Sequence, residues 1–251
     1  MSIVIYPKEV QASGNFNNGE ILERKPVGFL QDGGELNPYS NLFYWANAWT
    51  PGAKSTIGLH PHQGFEICSF VIEGEIKHYD SKQQKWILLS KGDVQIIRAG
   101  NGISHAEEIL DKSEIFQIWF DPDISKTLNK PATYNDYKKK EFPVIDGNNK
   151  KTTIIKGKKS PFEMDSEGVE IKEYSFNKGN FELELDNKFI YSFFLINGSI
   201  NLKNKKVLKG TFIRIENTDQ VSIEVIERSL LFEIRTPKHL THSTYFERFM
   251  N

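Results

Sequence analysis

The chain has 251 residues, 38% of them hydrophobic and 26% charged, with a net charge of −1. That length allows one large domain or two ordinary ones with a sizeable core, and the near-neutral balance offers no overall attraction for nucleic acid or an anionic membrane, so neither partner is expected. A single cysteine, Cys68, excludes an internal disulfide framework, and the lack of both a leader-like N-terminus and any run of roughly 18 apolar residues points to a cytoplasmic protein.

From the N-terminus, short runs rich in Val, Ile, Phe, Tyr and Trp alternate with Gly, Asn, Asp and Lys clusters: NLFYWANAW, GFEICSFVIEGEIKHYD, KWILLSKGDVQIIRAG and SEIFQIWFDP. These are strand and turn patterns at the spacing of an all-β sandwich or barrel. Between Pro122 and Gly157 the composition shifts to Lys, Asn and Pro with little alternation. This predicts an interdomain connection, with Lys138, Lys139, Lys140, Lys150 and Lys151 as a solvated face. Beyond it the β-unit recurs: FVIEGEI, LSKGDV and EIFQIWFDP are echoed by FLINGSI, LKGTF and SLLFEIRTP. Gly74 and Gly198, Gly92 and Gly210, and Pro122 and Pro237 thus hold matching places. The expected domains are 1–130 and 131–251. A short helix is expected after Pro237, with Thr244 and Glu247 as a capping box and Phe246, Phe249 and Met250 on one face.

Chemistry concentrates in two short segments. His60 and His62 flank Pro61, and on an extended chain residues two apart share a face. His105 and Glu107 repeat that spacing, so two antiparallel strands side by side would converge four donors. Neutral imidazole suits Fe, Ni, Cu, Mn and Zn alike, and a carboxylate adds charge. Four protein ligands on a six-coordinate ion would leave two positions open, the mark of catalysis or of an exogenous ligand. Pro61 cannot donate to a ladder and suits a strand edge or bulge. One isolated His-x-His pair is commonly surface decoration, but two histidine-containing pairs in neighbouring strand-like segments favour a site. His78, His239 and His242 have no matching partner in the sequence. Glu66 competes with Glu107 for the carboxylate position. Cys68 shares its parity with Glu66 and Phe70 and reads as a cavity-lining core residue, while Gln117 faces either cavity or core. In the second repeat only Glu184 and Asp186 stand opposite His60 and His62, which predicts no metal there.

HPHQGFEICSFVIEGEIKHYDS, KGDVQIIRAGNGISHAEE, FQIWFDP and the connecting KPATYNDYKKKEFPV together resemble the pirin family, bicupin proteins of the cupin superfamily. The resemblance implies an all-β bicupin, two jelly-roll-like β-barrels (cupin folds) facing one another, with a short C-terminal helix. It also implies a metal on His60, His62, His105 and Glu107 in the N-terminal barrel, with a degenerate C-terminal barrel. Glu66, where many cupins place their ligand glutamate, then lies outside the ion and orients an imidazole. The implied cofactor is one divalent transition metal, iron first, with nickel, copper, manganese and zinc open. The implied activity is that of a quercetin 2,3-dioxygenase, taking a flavonol and dioxygen, with Glu107 or Glu66 as base and Phe65, Phe70 and Trp86 as apolar walls. The alternative is a metal- or redox-dependent regulatory protein that binds a protein partner.

Overall fold

The structure is a computed structural model that describes residues 1–250. The side chains of Phe249 and Met250, and the helical face expected of them, lie outside what is described. The chain forms two compact units, and each draws on both ends of the sequence. One comprises residues 11–139, 164–167 and the segment from Thr241; the other comprises residues 1–10, 140–163 and 168–240. Strand pairing explains the exchange at the N-terminus. The first strand, β1 (Ser2–Tyr6), runs antiparallel to Phe212–Glu216 and so completes a sheet of the later unit. Such a long-range pairing leaves no local trace, which is why consecutive domains were expected.

The unit that carries the histidine pairs contains β2 (Ala12–Phe16), β3 (Ile21–Val27), β4 (Leu42–Trp49), β5 (Ser55–His62), β6 (Glu66–Glu73), β7 (Glu75–Asp80), β8 (Ile87–Ser90), β9 (Val94–Arg98), β10 (Ile103–Ile109), β11 (Glu114–Phe120) and β12 (Thr133–Tyr137). Seven of these make a sheet in the order β12-β9-β6-β11-β4-β3-β2, and four make a second, β5-β10-β7-β8. Ile21, Val71 and Ile115 from the large sheet pack with Ile76, Leu89 and Ile109 from the small one. Alternation drives this arrangement, because successive side chains point to opposite faces of a strand. Burying six such aliphatic side chains contributes on the order of 10 kcal/mol of transfer free energy, offset by the entropy of ordering the chain.

The other unit contains β13 (Val144–Gly147), β14 (Lys150–Lys156), β15 (Glu170–Phe176), β16 (Gly179–Glu184), β17 (Phe189–Asn197), β18 (Ser199–Leu202), β19 (Lys205–Leu208), β20 (Phe212–Glu216), β21 (Gln220–Val225) and β22 (Ser229–Pro237). Its sheets run β1-β20-β17-β22-β15-β14-β13 and β16-β21-β18-β19. The stretch β20-β17-β22-β15 reproduces β9-β6-β11-β4, and β16-β21-β18-β19 reproduces β5-β10-β7-β8, so the sequence repeat is a structural one. Gly74 and Gly198 occupy the same turn with φ of +68° and +87°. A Cβ at either would lie 2.2 Å from the Oγ of Ser113 or Ser229 respectively, so the turn needs glycine on both counts.

The expected all-β bicupin of jelly-roll-like units is present: each unit is built of two sheets, and among the described residues no pairing joins the two sheets of either unit. One expectation is corrected. The lysine-rich stretch after Pro122 is largely structured: it supplies a one-turn helix, α1 (Ile124–Thr127), and the strands β12, β13 and β14. β12 and β13 are sheet edges, where polar and charged residues protect unpaired backbone and mask the apolar alternation that marks central strands. The expected C-terminal helix is present as α2 (Tyr245–Met250). Its capping box is made by Thr244 N–H donating to Glu247 Oε2 at 2.9 Å and Glu247 N–H donating to Thr244 Oγ1 at 3.2 Å. No helix among the described residues is long and apolar enough to cross a membrane.

Candidate metal centre

The centre lies on the four-stranded sheet, where β10 runs between β5 and β7. His105 of β10 pairs with His60 of β5 on one side and Asp80 of β7 on the other; Glu107 pairs with Ile57 and His78. Two residues of β10 therefore span the same distance as three steps of β5, from His60 to Ile57, and β5 carries a bulge. On a regular strand residues three apart, such as Ile57 and His60, would face opposite ways. With the bulge Ile57 packs on the core while His60 and His62 turn toward His105. Leu59, inside the bulge, is 61% exposed.

The ring centroids of His60, His62 and His105 lie 4.4 to 4.8 Å apart, and one donor nitrogen from each falls within 4.8 Å of the others. His60 Nδ1 lies 2.8 Å from the Gly58 carbonyl inside the bulge. Donation there leaves Nε2 as the lone-pair nitrogen, 3.0 Å from His105 Nε2. His62 Nε2 and His105 Nδ1 are buried with no hydrogen-bond partner. Buried nitrogens are ordinarily paired, so these orphaned atoms fit the donors of a bound cation. Burial, reinforced by the neighbouring histidines, pushes both His62 and His105 down to about 3. The imidazoles are therefore neutral, the form that binds metals. Three imidazoles suit a borderline transition ion, so the residues present fit a divalent metal.

Glu107 is fully buried and stands beside this set. Its Oε1 accepts from Ser69 Oγ at 2.7 Å and Gln95 Nε2 at 3.2 Å; its Oε2 accepts from Gln117 Nε2. Gln117 in turn accepts from Trp119 Nε1 at 3.1 Å, so it faces the site, one of its two expected positions. These donors come from β6, β9 and β11 of the facing sheet and fix the carboxylate across the interior of the sandwich. Glu107 falls within 4.8 Å donor spacing of His105 and His78, and not of the full three-histidine set.

Glu66 does not reach the site. Its oxygens accept from the backbone N–H groups of Asp165 and Ser166 at 2.6 and 2.8 Å and from Ser166 Oγ at 2.6 Å, with Arg98 Nε 3.8 Å away. It clamps the 164–167 segment, its hydrogen bonds made there and not to an imidazole, and burial holds its carboxyl above the usual range. Parity is the reason. Ser69 of β6 points to Glu107, so Glu66, Cys68 and Phe70 lie on the opposite face of that strand. Cys68 is fully buried there, as core and not as cavity lining. Trp86 also departs from expectation, being 48% exposed and tilted against Tyr79 at 5.6 Å. Glu66→Ala is expected to destabilise the chain by about 3 kcal/mol, since it orphans the buried Ser166 N–H and the part-buried Asp165 N–H, while metal content stays at the wild-type level. Chemical denaturation with metal analysis checks both. A loss of metal without loss of stability would return Glu66 to the site.

Sequence reading missed Ser69, Gln95, Trp119, Tyr134 and, above all, His78 with Asp80. His78 Nε2 lies 2.9 Å from Asp80 Oδ2, both residues are fully buried, and Tyr134 stacks on the imidazole at 4.7 Å. The available signal was the alternation of Ile76, His78 and Asp80, a polar pair in core phase. Phe65 does form an apolar wall. With Phe29, Phe43, Pro38, Tyr245 and Phe246 it lines a cavity of about 310 Å³. Trp119 stands between that cavity and the histidines, 4.8 Å from His62 and 6.1 Å from Phe65. In the other unit Glu184 is exposed and Asp186 caps the turn at Lys188, and no donor cluster occurs there among the described residues.

Residues 25–120 match the sequence model of the Pirin family. The chain is 29% identical over 191 residues to a Zymomonas mobilis protein and 36% identical over 162 residues to one from Pseudomonas aeruginosa, both provisionally named quercetin 2,3-dioxygenase. The first alignment covers 71% of this chain and 75% of the relative; the second covers 63% and 65%. Among solved structures, the chain is similar to a bacterial pirin of Escherichia coli in complex with nickel(II). The TM-score is 0.79 at 17% identity, over 95% of this chain and all of that one. At that identity the likeness is one of fold.

Proposed function

The chain belongs to the pirin family, and on that premise we propose that it is a metal-dependent oxygenase of the quercetin 2,3-dioxygenase type, holding one divalent transition metal on His60, His62, His105 and Glu107. The observation that carries the reading is the convergence of three imidazoles, with orphaned nitrogens on His62 and His105, beside a carboxylate held by three side-chain donors. The names of its Zymomonas and Pseudomonas relatives support the reaction class, and a mixed imidazole and carboxylate set with open positions suits iron(II). Nickel, present in the Escherichia coli pirin of the same fold, is the next candidate.

A bound divalent ion would supply Lewis acidity to the adjacent hydroxyl and keto oxygens of a flavonol. The protein's own residues do the rest. Glu107 accepts the hydroxyl proton at one oxygen while Ser69 and Gln95 keep the other in place. Trp119 presents an aromatic face next to His62, and Phe65 continues the apolar wall that excludes water from the ring.

The test is direct. Protein loaded separately with iron, nickel, copper or manganese is incubated with quercetin in air, and loss of the flavonol absorbance is followed. Metal-dependent loss is expected, reduced at least about 100-fold in Glu107→Gln, the scale of a lost general base. No loss above buffer with any metal sinks the oxygenase reading and leaves the metal-dependent regulatory protein.

A further inference from the structure

We propose that the centre offers a second, inner position for a divalent ion, formed by His78, His105 and Glu107, sharing His105 with the outer imidazoles of His60, His62 and His105 and drawing on the Glu107 of the proposed ligand set. The inference rests on the reading of the outer set as a metal centre and adds a site to it.

His78, His105 and Glu107 are all fully buried, and a donor atom from each lies within 4.8 Å of the others. The hydrogen bonds assign the nitrogens. Asp80 Oδ1 accepts from the backbone N–H groups of Lys82 and Gln83, each at 2.7 Å, and its Oδ2 meets His78 Nε2. That carboxylate holds the proton of His78 on Nε2 and leaves a lone pair on Nδ1, which is buried without a partner. Carboxylate–imidazole pairs of this kind orient histidine ligands and raise their basicity.

His105 follows the same logic. His60 Nδ1 donates to Gly58, so between the facing Nε2 atoms of His60 and His105 the proton sits on His105. His105 Nδ1 then carries the lone pair and is likewise buried and unpartnered. Two orphaned imidazole lone pairs and a carboxylate gather with no proton donor of their own between them. A low-dielectric interior makes the two unpaired nitrogens costly, and a cation beside the Glu107 carboxylate satisfies both at once. Tyr134 covers the face of His78 and closes the pocket on that side.

The consequence is a relay with His105 as its pivot: an ion arriving at the outer set has a dry resting place one strand further in. The test uses the full chain and cobalt(II) alone, with bound metal counted after desalting and folding monitored by near-ultraviolet circular dichroism. The double variant His60→Ala, His62→Ala is expected to keep about one equivalent of cobalt, and adding His78→Gln to lower its affinity at least about 10-fold. A folded double variant that binds none, or one indifferent to His78→Gln, overturns the inner position while wild-type uptake preserves the outer one. A wild-type chain that binds no cobalt overturns both. If the double variant does not fold, anomalous scattering from cobalt-loaded wild-type crystals decides: density against His78 and Glu107 upholds the inner position, and density confined to the outer histidines overturns it.

Discussion

Replacing His105 with alanine is expected to lower the affinity for divalent metal by more than about 100-fold, beyond the 10- to 100-fold typical of losing a group that only orients a ligand. The reason is its place in the sheet. β10 is flanked on both sides, and His105 belongs to both of the close three-donor groups found among the described residues. His60→Ala, by contrast, leaves His105 and Glu107 in their buried settings and removes a side chain from a partly exposed strand end, so a smaller loss is expected. Equilibrium titration with cobalt or nickel, with metal content measured on both variants, distinguishes them. Equal uptake by His105→Ala and wild type would refute the ligand assignment outright.

The metal-free chain is expected to lose stability steeply on mild acidification. His62 and His105 sit folded at about 3 against an unfolded value near 6.5, the cause being burial first and mutual repulsion second. Between those values the unfolded chain binds protons that the folded chain refuses, so stability is fully present above about pH 6.5 and falls as pH drops toward 3. With His62 discounted for its partial exposure, the loss between pH 7 and pH 5 is about 3 kcal/mol. Urea denaturation of metal-stripped protein across that range checks the sign and size. A stability that is flat or rising toward pH 5 contradicts the neutral, buried imidazole cluster.

Much of this site could be read from the chain because β-structure writes its faces into sequence at a period of two. His60 with His62 and His105 with Glu107 obey that period, and so do the turn glycines that reveal the duplication. What could not be read depends on pairing between distant segments. Glu66 lies within four residues of His62, yet its partners are backbone groups a hundred residues away. Its phase relative to Ser69, not its proximity in sequence, decides the face it serves. His78 looked solitary because its partners, His105 and Glu107, belong to the strand that becomes its neighbour only on folding. β1 escaped notice for the same reason, since nothing in Ser2–Tyr6 names Phe212–Glu216 as its mate.

The bulge in β5 has a consequence for how this protein could change. One extra residue lets the two ends of a single strand be read in different frames: Ile57 is held by the hydrophobic interior, while His60 and His62 answer to the ion. Selection on the ion-binding end is thereby uncoupled from selection on the packing end. Losing one residue at Gly58 or Leu59 would let β5 pair evenly with β10 and keep both imidazoles inward, but would remove the bulge carbonyl that holds His60 Nδ1. A chain of this architecture can thus change how a ligand imidazole is held by a change of length, with every ligand residue still present.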